Sequence, residues 1–164
     1  MEKKELRNQP CYDADGNFIG WFSRSIAVAV FIFRKKEGKL QVLTEIRGKG
    51  AADYVGMRCC VCGYLDFNEN LAEAGARESQ QECGIILNPQ KLQFVGINDD
   101  PSENRQNVTV RYYYVCDGED FDLEMAVGGE KDEVEKVEWL DVDNLPNDFC
   151  FNHRERILEI SNLI

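Results

Sequence analysis

The chain has 164 residues, 43% hydrophobic and 30% charged, a composition that fits one soluble globular domain and excludes disordered and fibrous classes. Its formal net charge of −11 argues against a surface for duplex nucleic acid, where Lys and Arg must neutralise phosphates, but leaves room for a small anionic ligand if a divalent cation stands between the two. The N-terminal MEKKELRNQP lacks the apolar core of a signal peptide, and no apolar run approaches the roughly 20 residues that span a bilayer, so no membrane partner is expected and the chain reads as cytoplasmic.

In chain order, residues 1–24, including DADGN, read as an arm or a small hairpin ahead of a domain over 25–164. SIAVAVFIF from Ser25 and LQVLTEI from Leu40 are strand patterns joined by the turn RKKEGK, which makes a hairpin. CCVC at 59–62 closes a short strand. KLQFVGI and VTVRYYYVC supply two more strands around the loop NDDPSENRQN, and VEKVEWLDV a further one. The last segment, NHRERILEISNLI, predicts a helix opened by Asn152 with Glu155 in capping-box position. His153, the lone histidine, is expected to be exposed or part of that cap. Of Tyr112, Tyr113 and Tyr114, at least one must face the core, because successive residues of a strand point to opposite faces.

The seven cysteines are an odd number in a chain of intracellular character, so a disulfide framework is not expected and most read as small buried apolar residues. Cys59 and Cys62 have Cys-x-x-Cys spacing, but no second pair exists to complete a zinc site.

The most informative stretch is GYLDFNENLAEAGARESQQECGI, residues 63–85. Asn70 and Glu73 form a capping-box pattern, and Gly84 suits the left-handed residue that ends a helix, which predicts a helix from about Leu71 to Cys83. At about 100° per residue, Ala72, Ala76, Ser79 and Cys83 make one stripe of small residues suited to close packing on a sheet. Glu78, Gln81 and Glu82 cluster on another face. The like charges of Glu78 and Glu82 weaken an isolated helix unless a cation lies between them, so the face reads either as a solvated surface or as a hard-cation site.

The pattern Gly63, five residues, Glu69, seven residues, Arg77-Glu78, two residues, Gln81-Glu82, Cys83, Gly84, Ile85 resembles the Nudix box, with every gap of the right length. The resemblance implies an α/β fold, a Nudix-type α/β/α sandwich with a mixed β-sheet, and hydrolysis of a nucleoside diphosphate linked to another moiety. It implies Mg2+, or Mn2+, as cofactor and a small nucleotide-diphosphate substrate. Carried over by position, Glu78 and Glu82 are metal ligands, with Glu78 a general base in some members. Glu69 meets the metal or pairs with Arg77, and Arg77 orients the loop. A distant carboxylate often completes such sites, for which Glu133 is the first candidate and Glu130 the second. Arg47, at the end of its strand, and Arg111 are candidates for substrate contact.

Gln81 stands where the family has a glutamate. A glutamine keeps a carbonyl oxygen but loses a charge, so one metal position is expected to be weaker. This leaves open a second class, a nucleotide-binding or sensor domain that has lost turnover. Ser79 replaces an apolar residue at modest cost if its hydroxyl bonds back along the helix. Pro101 lies near where ADP-ribose hydrolases of the family carry a proline, which gives ADP-ribose-like compounds a slight preference. A homodimer is compatible with all of these features.

Overall fold

The computed structural model describes residues 7–116 and 132–164. Strands β1 (Gln9–Tyr12) and β2 (Phe18–Phe22) pair antiparallel as a hairpin of their own, with Gln9 opposite Phe22. The Asp13 carboxylate holds its turn by accepting the backbone N–H groups of Asp15 and Asn17 at 3.0 and 2.8 Å.

β3 (Ser25–Lys36) and β4 (Lys39–Arg47) form the expected second hairpin. Its two-residue turn places both Glu37 and Gly38 at positive φ, 52° and 77°, matching the right-handed twist of the strands it joins. The remaining strands are β5 (Arg58–Cys59), β6 (Val61–Tyr64), β7 (Gln93–Asn98), β8 (Asn107–Cys116) and β9 (Val134–Asp141). With β3 and β4 they make a seven-stranded mixed sheet in which β3 and β8 run parallel and the other pairs antiparallel.

β3 is the axis of this sheet. One edge pairs with β8 from Ser25 to Arg34. The other edge is shared: Phe33–Lys36 pair with β4, whereas Ala27–Val30 pair with β6. Past Val42, β4 leaves β3 and runs between β5 and β9. The sheet forks there, with β6 taking the place of β4 beside the first half of β3.

Alternation along β3 builds a core on each face. Val30 and Ile32 join Leu43, Val61, Cys83, Ile85 and Tyr114 beneath α1 (Leu71–Cys83). Ala29, Phe31 and Phe33 join Val42, Cys60, Ile157 and Ile160 beneath α2 (His153–Ser161). The two helices thus enclose the sheet as an α/β/α sandwich. Tyr114 is the buried member of the tyrosine triplet. No helix among the described residues is long and apolar enough to cross a membrane.

α1 follows its sequence signals. Asn70 Oδ1 accepts the N–H groups of Ala72 and Glu73, while the Glu73 carboxylate accepts Asn70 N–H at 2.8 Å. Gly84 closes the helix at φ 69°. Ser79, fully buried, donates its hydroxyl to the Gly75 carbonyl at 2.7 Å, as expected for a polar residue on a packed face. Gly75 itself lets the helix approach the sheet, since a Cβ there would lie 2.8 Å from the Val30 side chain.

α2 departs from expectation. Asn152 takes the N-cap place at φ 58° and makes no side-chain cap bond, so the Asn152–Glu155 capping box does not form. Tertiary contacts set this boundary instead, as the site shows.

Candidate functional site

Arg77 joins the loop before α1 to the helix. Its Nε and Nη2 donate to the two carboxylate oxygens of Glu69 at 2.9 and 2.7 Å, and Nη2 also donates to the Tyr64 carbonyl at 2.8 Å. Nη1 donates to Glu78 Oε1 at 2.7 Å and Gln81 Oε1 at 2.9 Å. The fork geometry of a guanidinium lets one side chain hold all four partners. Arg77 keeps the Glu69 carboxyl below its usual range. Burial moves Glu78 upward, against the opposing effect of Arg77. Gly63 on β6 makes room for this placement, because a Cβ there would collide with the Glu78 carboxylate unless that side chain shifted.

Glu82 sits deeper, with 6% of its surface exposed. Its Oε2 accepts the Cys62 N–H at 3.0 Å, and it faces Glu45 from β4. Glu45 is also buried; its Oε1 accepts the Cys59 thiol at 3.0 Å, while Oε2 has no hydrogen-bond partner. Desolvation first, and then mutual repulsion, push the Glu82 carboxyl well up. Burial likewise raises Glu45. Glu133 adds its charge to both Glu45 and Glu78. The acidic face of α1 is therefore not simply a solvated surface. Glu130 lies outside the described residues.

In front of these carboxylates opens a cavity of about 580 Å³, within the range of small-molecule sites. Arg47, Cys62, Gly63, Arg111, Glu133 and His153 are among its lining residues. Glu78 and Glu82 are not on the wall; they lie behind Gly63 and Cys62. The structure thus gathers the residues singled out in the sequence into three adjoining groups: the Arg77 network with Glu69, Glu78 and Gln81, the buried Glu82, and the cavity with Arg47, Arg111 and Glu133.

Arg47 is buried and held by Asp53, whose Oδ1 and carbonyl oxygen each accept a guanidinium N–H at 2.9 Å. Its guanidinium also lies over the Phe151 ring at 5.3 Å. His153 lies at the start of α2, in the cap region, and corrects only the exposed alternative: it is 5% exposed, and its Nδ1 accepts the Cys60 N–H at 3.0 Å. Burial, followed by the charges of Arg111 and Arg47, drives its pKa down to about 3. A neutral imidazole at the first turn of α2 thus satisfies the backbone break between β5 and β6.

A model of the NUDIX domain matches residues 23–159. The chain belongs to the Nudix family. Its fold is similar to that of the NUDIX domain of Shewanella oneidensis NrtR, solved in complex with ADP ribose, with a TM-score of 0.72 and 17% identity over 93% of both chains. A MutT/nudix family protein from Enterococcus faecalis gives 0.69 at 19% identity, covering 98% of this chain and 64% of that one. A bifunctional NMN adenylyltransferase/ADP ribose pyrophosphatase from Francisella tularensis, complexed with AMP and a Mn ion, gives 0.67 at 16% identity, covering 86% of this chain and 42% of that one. No curated protein matches the sequence.

The Nudix fold raises the question of a divalent cation, and the donor set fits one. The charges of Glu45 and Glu78 raise Glu82, that of Glu133 raises Glu45 and Glu78, and a buried oxygen of Glu45 is unsatisfied. Hard cations take such carboxylate oxygens. No group of three or more His, Cys, Asp or Glu side chains among the described residues is already arranged as a metal cage. Glu78 Oε1 and Gln81 Oε1 are turned to Arg77, and Glu82 Oε2 to Cys62. The seven cysteines are free thiols, so Cys59 and Cys62 are not bridged.

Sequence reasoning missed Glu45, Asp53 and the buried role of His153. Glu45 had a readable signal. It shares strand parity with Leu43, which packs on the α1 side, so it must point toward the face that carries Glu82. His153 had none, since its partner is 93 residues away.

Proposed function

We propose that this Nudix domain is a divalent-metal-dependent pyrophosphohydrolase cleaving the phosphoanhydride of a nucleoside diphosphate linked to another moiety. The observation that carries this reading is the buried Glu45–Glu82 pair behind the cavity wall: two desolvated carboxylates side by side destabilise a fold unless a cation or a shared proton offsets their repulsion. Glu69, Glu78, Glu82 and Glu133, with the Gln81 carbonyl oxygen, would hold Mg2+ or Mn2+. A divalent ion held there supplies Lewis acidity toward the diphosphate and lowers the pKa of bound water.

The chain's own residues do the rest. Glu78, already raised by burial, accepts a proton more readily than an exposed carboxylate, which suits a general base. Arg77 positions Glu69 and Glu78 without facing the cavity. Arg47 and Arg111 line the cavity and offer positive charge to the substrate phosphates. ADP-ribose-like compounds are the preferred substrate class, supported by the ADP ribose found with the NrtR domain.

The test is product release from ADP-ribose, nucleoside diphosphate sugars, NADH, nucleoside triphosphates and dinucleoside polyphosphates with Mg2+ or Mn2+, run beside Glu82→Gln. Turnover that falls about a hundredfold or more in the variant supports the site. Parent and variant of equal activity would sink it.

Gln81 favours a second reading, a domain that binds its nucleotide with little turnover, because its oxygen is engaged by Arg77. Gln81→Glu separates the two. If Gln81 limits metal affinity, the Mg2+ concentration for half-maximal rate drops in the variant; an unchanged requirement removes Gln81 from the ligand set.

A further inference from the structure

The described chain places five non-glycine residues at positive φ, and three of them, Tyr54 at 51°, Phe151 at 58° and Asn152 at 58°, line the same cavity. For a bulky side chain this backbone region is a true outlier, costly enough to persist only where the surroundings enforce it. Tyr54 comes from the loop between β4 and β5, Phe151 from the segment leading into α2. Their rings meet edge to face, with centroids 4.9 Å apart.

The surroundings do enforce both conformations. The Tyr54 turn is closed by Met57 N–H donating to the Tyr54 carbonyl, and its base is tied by Gly56 N–H donating to the Arg47 carbonyl. Phe151 follows Cys150, whose N–H donates to Arg58, and precedes the buried His153. Arg47 links the two, bonded to Asp53 on one side and lying over the Phe151 ring on the other. Yet Tyr54 is 50% exposed, so this arrangement gains less from burial than a core aromatic would.

We infer that the Tyr54–Phe151 corner is the recognition site for the planar ring of a nucleotide, which stacks on the open side of Tyr54 while Arg47 meets its phosphate. The inference rests on the reading of the cavity as the nucleotide site. It assigns recognition of the ring to a loop and a helix start that carry none of the carboxylate chemistry. Base–aromatic stacking tolerates different bases, so the corner selects for a ring rather than for one base.

The experiment is calorimetric titration of the full chain with AMP and with ribose 5-phosphate, with and without Mg2+, using the parent, Tyr54→Ala, Tyr54→Phe and Tyr54→Gly. The parent binds AMP more tightly than ribose 5-phosphate. Tyr54→Ala weakens AMP by roughly five- to 150-fold and leaves ribose 5-phosphate unchanged, the range expected for one lost stacking contact. Tyr54→Phe keeps the parent affinity. Tyr54→Gly loses AMP like the alanine variant, yet keeps or raises Tm because glycine accepts positive φ without strain. Equal loss for both ligands, or none for AMP, overturns the assignment. A parent that hydrolyses a base-free diphosphate but does not prefer AMP overturns the corner and leaves the hydrolase standing. AMP binding that needs Tyr54, without turnover of any diphosphate, overturns the hydrolase and leaves the corner standing.

Discussion

The two helices of this Nudix domain begin in different ways. α1 opens on a reciprocal cap between Asn70 and Glu73, both supplied within its own first turn, and closes on a left-handed Gly84. α2 opens on two successive residues at positive φ with no side-chain cap, and its first residue, His153, is anchored to Cys60 between β5 and β6. Local chemistry defines the helix that carries the candidate carboxylates. Tertiary contact defines the one that borders the cavity, so the start of α2 depends on the rest of the fold in a way that the start of α1 does not.

The largest expected effect separates chemistry from stability on α1. Glu82→Gln lowers turnover about a hundredfold or more, equivalent to roughly 2.7 kcal/mol in the barrier. The same change replaces a carboxyl group buried beside Glu45 with an amide that cannot ionise. Thermal unfolding of the metal-free variant should therefore show a Tm at or above that of the parent. A large loss of Tm would mean that Glu82 is chiefly structural.

Next comes the anchor of α2. An unfolded histidine titrates near 6.5, whereas buried His153 stays neutral down to about pH 3. As pH falls below 6.5 the unfolded chain takes up the proton first, so the contribution of neutral His153 is whole above that pH and is lost progressively below it. Urea denaturation should show the parent losing up to about 1.4 kcal/mol per pH unit from this group, or about 3 kcal/mol between pH 6.5 and 4. His153→Gln retains an acceptor for Cys60 N–H and should show a shallower slope. Glu45 and Glu82 titrate in both proteins, so the difference in slope isolates the histidine. Equal slopes would exclude it.

Gly63→Ala drives a methyl group into the Glu78 carboxylate, with an expected cost of about 1–3 kcal/mol and a loss of rate that exceeds the loss of folded protein. Chemical denaturation and turnover measured on the same sample decide this; a variant with parent rate would show that Glu78 can move away without consequence. Smallest is the contrast between the caps themselves. Asn70→Ala costs about 1 kcal/mol, whereas Asn152→Gly is neutral or stabilising by several tenths of a kcal/mol, because no side-chain cap is lost and positive φ is relieved. Equal destabilisation would erase the distinction between the helices.

This contrast also explains what the sequence could reveal. The bounds of α1, its small-residue stripe and its capping box lie within one contiguous stretch, and strand alternation exposed the sheet. The fork between β3 and β4 was not legible, since it depends on which partner each half of β3 chooses. The parity of Glu45 with Leu43 was legible, but its burial against Glu82 was not, because that depends on the fork and on α1. The cap of α2 was misread as well: Asn152 and Glu155 have the right spacing, but Asn152 stands at φ 58° beside His153, whose partner Cys60 is distant in sequence.

β3 has a consequence for how the molecule comes apart. Its alternate residues belong to the layers beneath both helices, and its edges bond to three other strands. Neither layer can melt without dissolving a strand on which the other depends. Heat or urea should therefore disassemble the sandwich in one cooperative step, with the β3 amides exchanging hydrogen only through global unfolding.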